Sequence, residues 1–577
     1  MIGRHDQRTI GISSLSLLVV VLLLSSCHRH TEEKARSVPD TTGLAVLKKT
    51  DLFTDSSFVE SWLGAQRVDS LARIATREFY YQRNYRFAWF TPEGPSERAR
   101  AFLNAIQQAA ASATTEDTAS WSAMTVYADS LLSSWSPDSI NASRDIGMTA
   151  LYFSYTHREF EGLPEEDLQR LEWFIPRKKV DWVQMLDSSI RSAGVAVPWQ
   201  GPMFHQYDRL IRVLASYRSI RASGGWQLVD PVVLMARVGD ADSSIAQLRK
   251  RLLQSDDLQD TSTSDLYDDA LALAIKRFRL RHGLNGEAKL DSATLRLLNL
   301  PVDSGIRTIL LNLERCRWVP EDPIGRHLVV NIPAFRLYAF SDSGFAWSTR
   351  VIVGKVGTAT TIFTGSIRTL VLNPTWTVPR KIVYEEIIPA QRANADYLTR
   401  NKMDLFRPAD LSHPVNPKKI DWKKAGPGSF PYIVRQRSGS WNALGRYKFL
   451  FPNSYDIYLH DTPSRQLFER SERTFSHGCI RVAQPERLAR FVLSGDSLWT
   501  EERLAGELDL GKERFIPLLN KVPVSIVYFT AWVDEDGILQ EREDIYGHDR
   551  KLADVLFKST DFAPSDSNLV LVNESRE

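Results

Sequence analysis

Apolar positions along this chain keep a helical period in its first half and an alternating one in its second. Within residues 51–223, Leu71, Ile74, Ala75 and Phe79 recur at i, i+3, i+4 spacing, and in 204–217 the residues Tyr207, Leu210, Ile211 and Leu214 share one helical face. Residues 80–90 are dense in aromatics, which more often pack a core than form a ligand platform. Three short amphipathic segments follow at 244–252, 267–282 and 292–299; Gly283 stops the second and Asp291 is placed to cap the third. From near Ile306 the period becomes two. Residues 327–340 and 367–372 alternate and 524–529 form a compact apolar run, which predicts a mostly β domain. Residues 373–380 close one strand and open an excursion at about 377–431, predicted to hold a helix at 380–388 and a polar loop. A loop of that length inside a compact domain is usually functional or mobile. The predicted fold class is multidomain α+β: a helical N-terminal scaffold at 51–230, a small three-helix module at 231–302, and a mostly β domain at 303–546 with a helical insertion, followed by a tail at 547–577.

The start of the chain sets the compartment. Arg4, His5 and Arg8 precede an apolar run at 10–24 that ends in Leu24-Ser25-Ser26-Cys27. Fifteen residues are short for a membrane span and suit the apolar core of a signal peptide. Polar residues 28–50 read as a tether to the first domain. With 72 Lys+Arg against 70 Asp+Glu, the net charge of +2 predicts no broad basic field and therefore no nucleic-acid partner. Local patches such as Arg380-Lys381 and Arg446-Tyr447-Lys448 remain as attractions for an acidic polymer. Three cysteines, Cys27, Cys316 and Cys479, give no disulfide framework, and 577 residues are enough to build a core without one. Cys316 is expected to be a buried packing residue. No ligand spacing of a metal site is present, so no metal and no cofactor are implied.

The chemistry concentrates in Ser476-His477-Gly478-Cys479-Ile480-Arg481, with His460 upstream in Tyr458-Leu459-His460-Asp461. A thiol that attacks a carbonyl needs a base and backbone donors for the oxyanion. His477 lies two residues before Cys479, so in an extended segment the two sit roughly 6.5 Å apart along the strand, which is long for a direct bond. His460 ends an alternating run that can pair beside the cysteine segment, bringing side chains within about 4.5–5.5 Å. Cys479 is therefore the candidate nucleophile and His460 the candidate base, with the Asp461 backbone orienting the imidazole. Gly478 and Cys479 N–H groups, helped by His477, are the candidate oxyanion donors.

His460, a gap of fifteen residues, then Ser-His-Gly-Cys-Ile-Arg resembles the signature of the L,D-transpeptidases, the YkuD-type catalytic domain. The resemblance implies that Cys479 attacks the L-centre carbonyl of diaminopimelate in a peptidoglycan tetrapeptide stem, expels D-alanine, and passes the acyl group to a second stem as a 3-3 crosslink. It also implies slow acylation by carbapenems. Arg481 is expected to hold the site or a substrate carboxylate. Trp376 and Tyr458 match aromatic positions lining the cleft in the large, YcbB-like branch of the family, where the insertion caps the site; Ser476 and Asn373 join them as substrate-binding candidates. Residues 274–284 resemble the central helix and turn of a peptidoglycan-binding module, with departures in the polar stretch 259–264 and in Asn285-Gly286 that leave a spacer role equally open. The four residues ending in Cys27 resemble a bacterial lipobox, implying cleavage after residue 26, lipidation of Cys27, and a periplasmic, membrane-anchored protein, in the outer membrane by expectation. Alternatives with the same residues are an L,D-carboxypeptidase or hydrolase on the same stems and a noncatalytic peptidoglycan-binding lipoprotein.

Overall fold

The computed structural model describes residues 52–557 apart from 113–117, 134–141, 164, 178, 192–203, 261–263 and 322. The apolar run at 10–24, Cys27, the tether and the part of the expected tail beyond 557 lie outside the described residues; the first part of that expected tail is instead a helix, His548–Leu556, whose Leu552 and Ala553 are buried in the core shared with the β sheet. Among the described residues no helix is long and apolar enough to cross a membrane.

The N-terminal part is helical, as the period predicts, but its buried face is offset from the predicted one. In the helix Ser70–Gln82 the side chains of Ala72, Thr76, Phe79 and Tyr80 are buried, while Leu71 and Ile74 are 55% and 56% exposed. The helix packs on Ala142–Thr156, and the core there is aromatic: Phe79, Tyr80, Trp89, Phe102, Tyr152 and Phe153 form one cluster. A single carboxylate organises it. Asp145, fully buried, accepts the N–H groups of Ala88, Trp89 and Phe90 and, at 2.5 Å, the hydroxyl of Tyr80. Burial pushes its pKa up and these donors pull it down.

The three short helices form as expected at Ser243–Gln254, Asp269–Arg281 and Ser292–Leu298, the last capped by Asp291 on the Thr294 N–H. They enclose their own core of Ile245, Leu248, Leu252, Leu271, Ile275 and Phe278. The helix Gln206–Ala222 does not pack with the N-terminal aromatics. Its Tyr207, Leu210 and Leu214 join the helix Val302–Trp318, including fully buried Cys316, and the β sheet in one continuous core.

That sheet has nine strands. In spatial order they are Thr474–Ser476, Gly344–Gly354, Ile480–Val482, Leu459–His460, Tyr447–Leu450, Phe363–Leu372, Arg514–Val527, His327–Asn331 and Arg336–Ser341. The last pairs back onto Gly344–Gly354, so eight of the nine strands close into a ring without an open edge. The insertion departs from prediction. What reads as a polar loop contains two strands, Met403–Arg407 and Asp410–Val415, which join Ile433–Gln436 and Trp376–Thr377 in a separate four-stranded sheet. Alternation in Met403-Asp404-Leu405 buries Met403 and Leu405 against Val383, Ile387 and Ile388, so the insertion carries its own small core and extends to Gln436.

Asp145→Ala leaves three buried backbone donors without an acceptor, and should cost about 3 kcal/mol or more. Thermal unfolding followed by circular dichroism should show an earlier transition; an unchanged melt would contradict the assigned role.

Candidate active site

A two-residue strand positions the site. Leu459–His460 pairs antiparallel with Tyr447–Leu450, setting Lys448 opposite His460, and parallel with Ile480–Val482, setting Arg481 opposite His460. Directly paired residues share a sheet face, so Lys448, His460 and Arg481 form a row across three strands. The intervening residues Phe449, Leu459 and Ile480 point the other way and are wholly buried in the core. Burying three apolar side chains on one face fixes the register, and the register fixes the polar row. The same alternation turns Tyr458 and Cys479 to the polar face.

The segment before the strand Ile480–Val482 is a tight loop tied to the neighbouring chain. Gly478 has φ +113°, a conformation other residues rarely adopt, and its carbonyl accepts the Thr360 hydroxyl at 2.8 Å. Thr360 Oγ1 in turn accepts the Gly354 N–H at 2.9 Å. Gly354 has no room for a Cβ, which would stand 2.1 Å from the Thr358 carbonyl oxygen. Ser476, buried, donates its hydroxyl to the Cys479 carbonyl at 2.5 Å and accepts the Gly478 N–H at 3.1 Å.

These contacts correct three expectations. Ser476 spends its hydroxyl inside the loop and is not free to bind substrate. The Gly478 N–H is engaged by Ser476, which leaves the Cys479 N–H as the loop's remaining donor for an oxyanion. Asn373, expected in the cleft, is buried at φ +45° and donates to the Leu508 carbonyl at 2.9 Å, so it ties the strand end to the helix Glu501–Asp509.

His460 Nδ1 lies 2.6 Å from the Asp461 carbonyl oxygen, and this contact makes Nδ1 the protonated nitrogen and Nε2 the acceptor. The Asp461 carboxylate serves the fold: it accepts the N–H groups of Thr462 and Arg446 and pairs with Arg465 at 2.9 Å. Burial, then the charge of Arg481 and least that of Lys448, pushes the His460 pKa down to about 3, opposed by its Asp461 bond. Cys479 is half-buried, and burial raises its thiol pKa, opposed by the Tyr458 hydroxyl and the Lys448 charge. In this resting arrangement the thiol donates to the Asp456 carbonyl at 3.6 Å, not to His460. Both groups are thus neutral at rest, and catalytic hydrogen bonds in unliganded sites commonly tighten only when substrate arrives.

The rim is charged and aromatic. Arg481 carries a buried Nε without a hydrogen-bond partner, a fork open to a carboxylate. The insertion reaches over the loop. Glu386, on the π-helical turn Val383–Ile387, lies 2.8 Å from His477 Nε2 in an ion-pair contact not aligned as a hydrogen bond. His477 therefore faces the insertion. Burial holds the Tyr458 phenol well above its usual range, Cys479 beside it raises it further, and Trp376 opposes the rise. Lys448 and Glu386 were not singled out as site residues by sequence reasoning. The signal for Lys448 was available: it is the polar member of Tyr447-Lys448-Phe449, an alternating triplet.

Comparison with known proteins places matches over two parts of the chain. Residues 325–500 match the family described as the L,D-transpeptidase catalytic domain, YkuD, and residues 74–214 match one described as a scaffold domain. Residues 325–500 are thus similar to a YkuD-type L,D-transpeptidase catalytic domain, and both His460 and Cys479 fall within them. A Haemophilus influenzae protein whose own assignment as an L,D-transpeptidase is inferred is 35% identical over 274 residues, covering 47% of this chain. The match spans 54% of that relative, about half its length. Among solved structures, an L,D-transpeptidase of Stackebrandtia nassauensis aligns at 14% identity over 52% of this chain and 96% of its own, with a TM-score of 0.22. One from Mycobacterium smegmatis aligns at 10% identity over 36% of this chain and 61% of its own, with a TM-score of 0.17. Superpositions this loose define no geometry; the distances above belong to this chain alone.

Gly354→Ala should push the 354–360 segment off the cysteine loop, slowing Cys479 alkylation by iodoacetamide about tenfold or more while the overall fold persists. Peptide mass spectrometry reads the alkylation and circular dichroism the fold; wild-type kinetics would contradict the cradle.

Proposed function

We propose that the chain is a peptidoglycan L,D-transpeptidase that forms 3-3 crosslinks through a thioester on Cys479. The observation that carries this reading is the juxtaposition on one sheet face of a half-buried thiol, a neutral imidazole with Nε2 free to accept, and an unbonded guanidinium. In the first step Cys479 Sγ attacks the carbonyl of the L-centre of diaminopimelate in the donor stem. The thiol proton passes to His460 Nε2 and the Cys479 N–H meets the oxyanion. Collapse breaks the bond to D-alanine, whose nitrogen takes the proton from His460, leaving the thioester. The amine of an acceptor stem then attacks the thioester, His460 takes its proton, and the thiol is regenerated with a new amide bond. Arg481 is placed to hold a stem carboxylate, and Trp376 and Tyr458 to line the cleft beneath the insertion.

The rest of the chain fits a wall enzyme. We assign the first 26 residues to export, Cys27 to a lipid anchor at the periplasmic face, and the module at 231–302 to contact with the glycan or to spacing of the catalytic domain.

The test is to incubate the chain beginning after Cys27 with disaccharide tetrapeptides and analyse products by mass spectrometry. Transfer yields a dimer linked between diaminopimelate residues. Tripeptide alone would mean hydrolysis, and no change would mean a binding role. Cys479→Ala should abolish both product and acyl-enzyme. His460→Ala should lose at least about 10²-fold, and more than His477→Ala; the reverse order would exchange the two histidines.

The pH profile follows from the two neutral groups. A His460 pKa near 3 means the imidazole stays unprotonated down to about pH 4, so donor acylation should show no inflection between about pH 5 and 7. Because the Cys479 pKa is raised, the rate should still be climbing above pH 8. An inflection near the ordinary histidine value would contradict this.

A further inference from the structure

Lys448 is a buried-side cation in the middle of the site. Its strand neighbours Tyr447 and Phe449 are buried in the core, and the register turns Lys448 to the opposite face beside His460. There its Nζ stands 4.0 Å from the centroid of the Tyr458 ring, within cation–π range. The parallel register sets Tyr458 beside Cys479, and the Ile480 N–H donates to the Tyr458 carbonyl at 3.1 Å. Ammonium, aromatic ring and sulfur are thus linked in sequence, and the Tyr458 and His460 rings meet edge to face at 5.6 Å.

The groups facing this assembly come from five places. Lys448 is on the strand Tyr447–Leu450, Tyr458 and His460 are on the adjoining segment, Arg481 and Cys479 are on the next, Asp456 is in the preceding loop, and Glu513 acts on Lys448 from near Arg514–Val527. Glu386 reaches Arg481 and His477 from the insertion. Between Lys448 and Arg481, His460 is poorly placed to carry a lasting positive charge of its own. A thiolate formed at Cys479 needs its countercharge from elsewhere.

We propose that Lys448, stacked on the Tyr458 ring, is a positioning residue that supplies the fixed positive charge for the Cys479 thiolate, so that ionisation of the sulfur does not depend on a standing imidazolium at His460. The inference deepens the proposed reading of Cys479 as nucleophile and rests on it. The ionisation breaks the S–H bond with both electrons left on sulfur and the proton released to solvent; in the reacting complex the same proton goes to His460 Nε2. Nothing is oxidised or reduced. The cation on one face of the ring also makes the phenol a stronger donor toward sulfur, so the two stabilising effects act in the same direction.

The experiment is the pH profile of Cys479 alkylation by iodoacetamide on the folded chain, pH 6 to 10.5, read by mass spectrometry of the Cys479 peptide. Lys448→Met should move the midpoint up by about one pH unit, which slows alkylation at pH 7.5 about tenfold. Lys448→Arg, which restores the charge, should return the midpoint to within about half that shift. Should the methionine variant fail to fold, Lys448→Gln repeats the measurement with the same expected shift. A profile for either neutral variant that superimposes on wild type overturns the proposal, as does an arginine variant shifted as far as methionine. No stem peptide enters this assay, so a chain inactive on tetrapeptide but shifted by Lys448→Met would retain this inference and lose the proposed function. Crosslinking activity with an unshifted profile would do the opposite.

Discussion

The pairing of Leu459–His460 between two neighbouring strands is the constraint on which the site depends. Two residues make a weak strand by themselves, yet each has a committed role. Leu459 is buried beside Phe449 and Ile480, and that contact sets which residues emerge on the other face. A slip of one position would send His460 into the core and an aliphatic side chain into the cleft. The hydrophobic effect on one side of the sheet therefore selects the chemistry on the other. The adjoining loop adds the second constraint, since its positive-φ glycine and the approach of Gly354 place the Cys479 N–H and sulfur at the mouth of the cleft.

Much of this was legible in the chain. The spacing of His460 and Cys479, and the alternation around each, led to neighbouring strands, and the strands are neighbours. The β-rich character of the last domain, the three short helices and the Asp291 cap also follow from period and capping chemistry. The misreadings share a cause: sequence proximity does not tell inward from outward polar groups. Ser476 and Asn373 stand beside site residues along the chain, yet their side chains complete local hydrogen bonds that only the folded loop creates. Lys448 was read as surface charge because Arg446-Tyr447-Lys448 looks basic until the strand period separates Lys448 from the flanking buried aromatics. Leu71 and Ile74 fit a helical stripe as well as Ala72 and Thr76 do, and the packing of Ala142–Thr156 chose the less apolar one. The strands inside the insertion were missed because they are short and bury few side chains.

Electrostatics gives the site its character. Burial alone would keep a cysteine protonated and a histidine neutral, and both effects are present here. What distinguishes the arrangement from an inert pair is its row of polar groups: Lys448 and Arg481 flank His460 across three strands, and the Lys448 ammonium stands over the Tyr458 ring. The insertion is tied into the same network through Trp376 and Glu386, so the cover over the cleft touches the groups that tune the thiol.

The protonation state of His460 is the most direct test of this account. Nitrogen-15 NMR of the folded chain with labelled histidine, the His460 signal assigned by its loss in His460→Gln, reports which ring nitrogen carries the proton and where the ring titrates. The account predicts a neutral ring with hydrogen on Nδ1 and a bare Nε2 from about pH 5 to 8. A ring that titrates between about pH 6 and 7, or one that carries its hydrogen on Nε2, would contradict it.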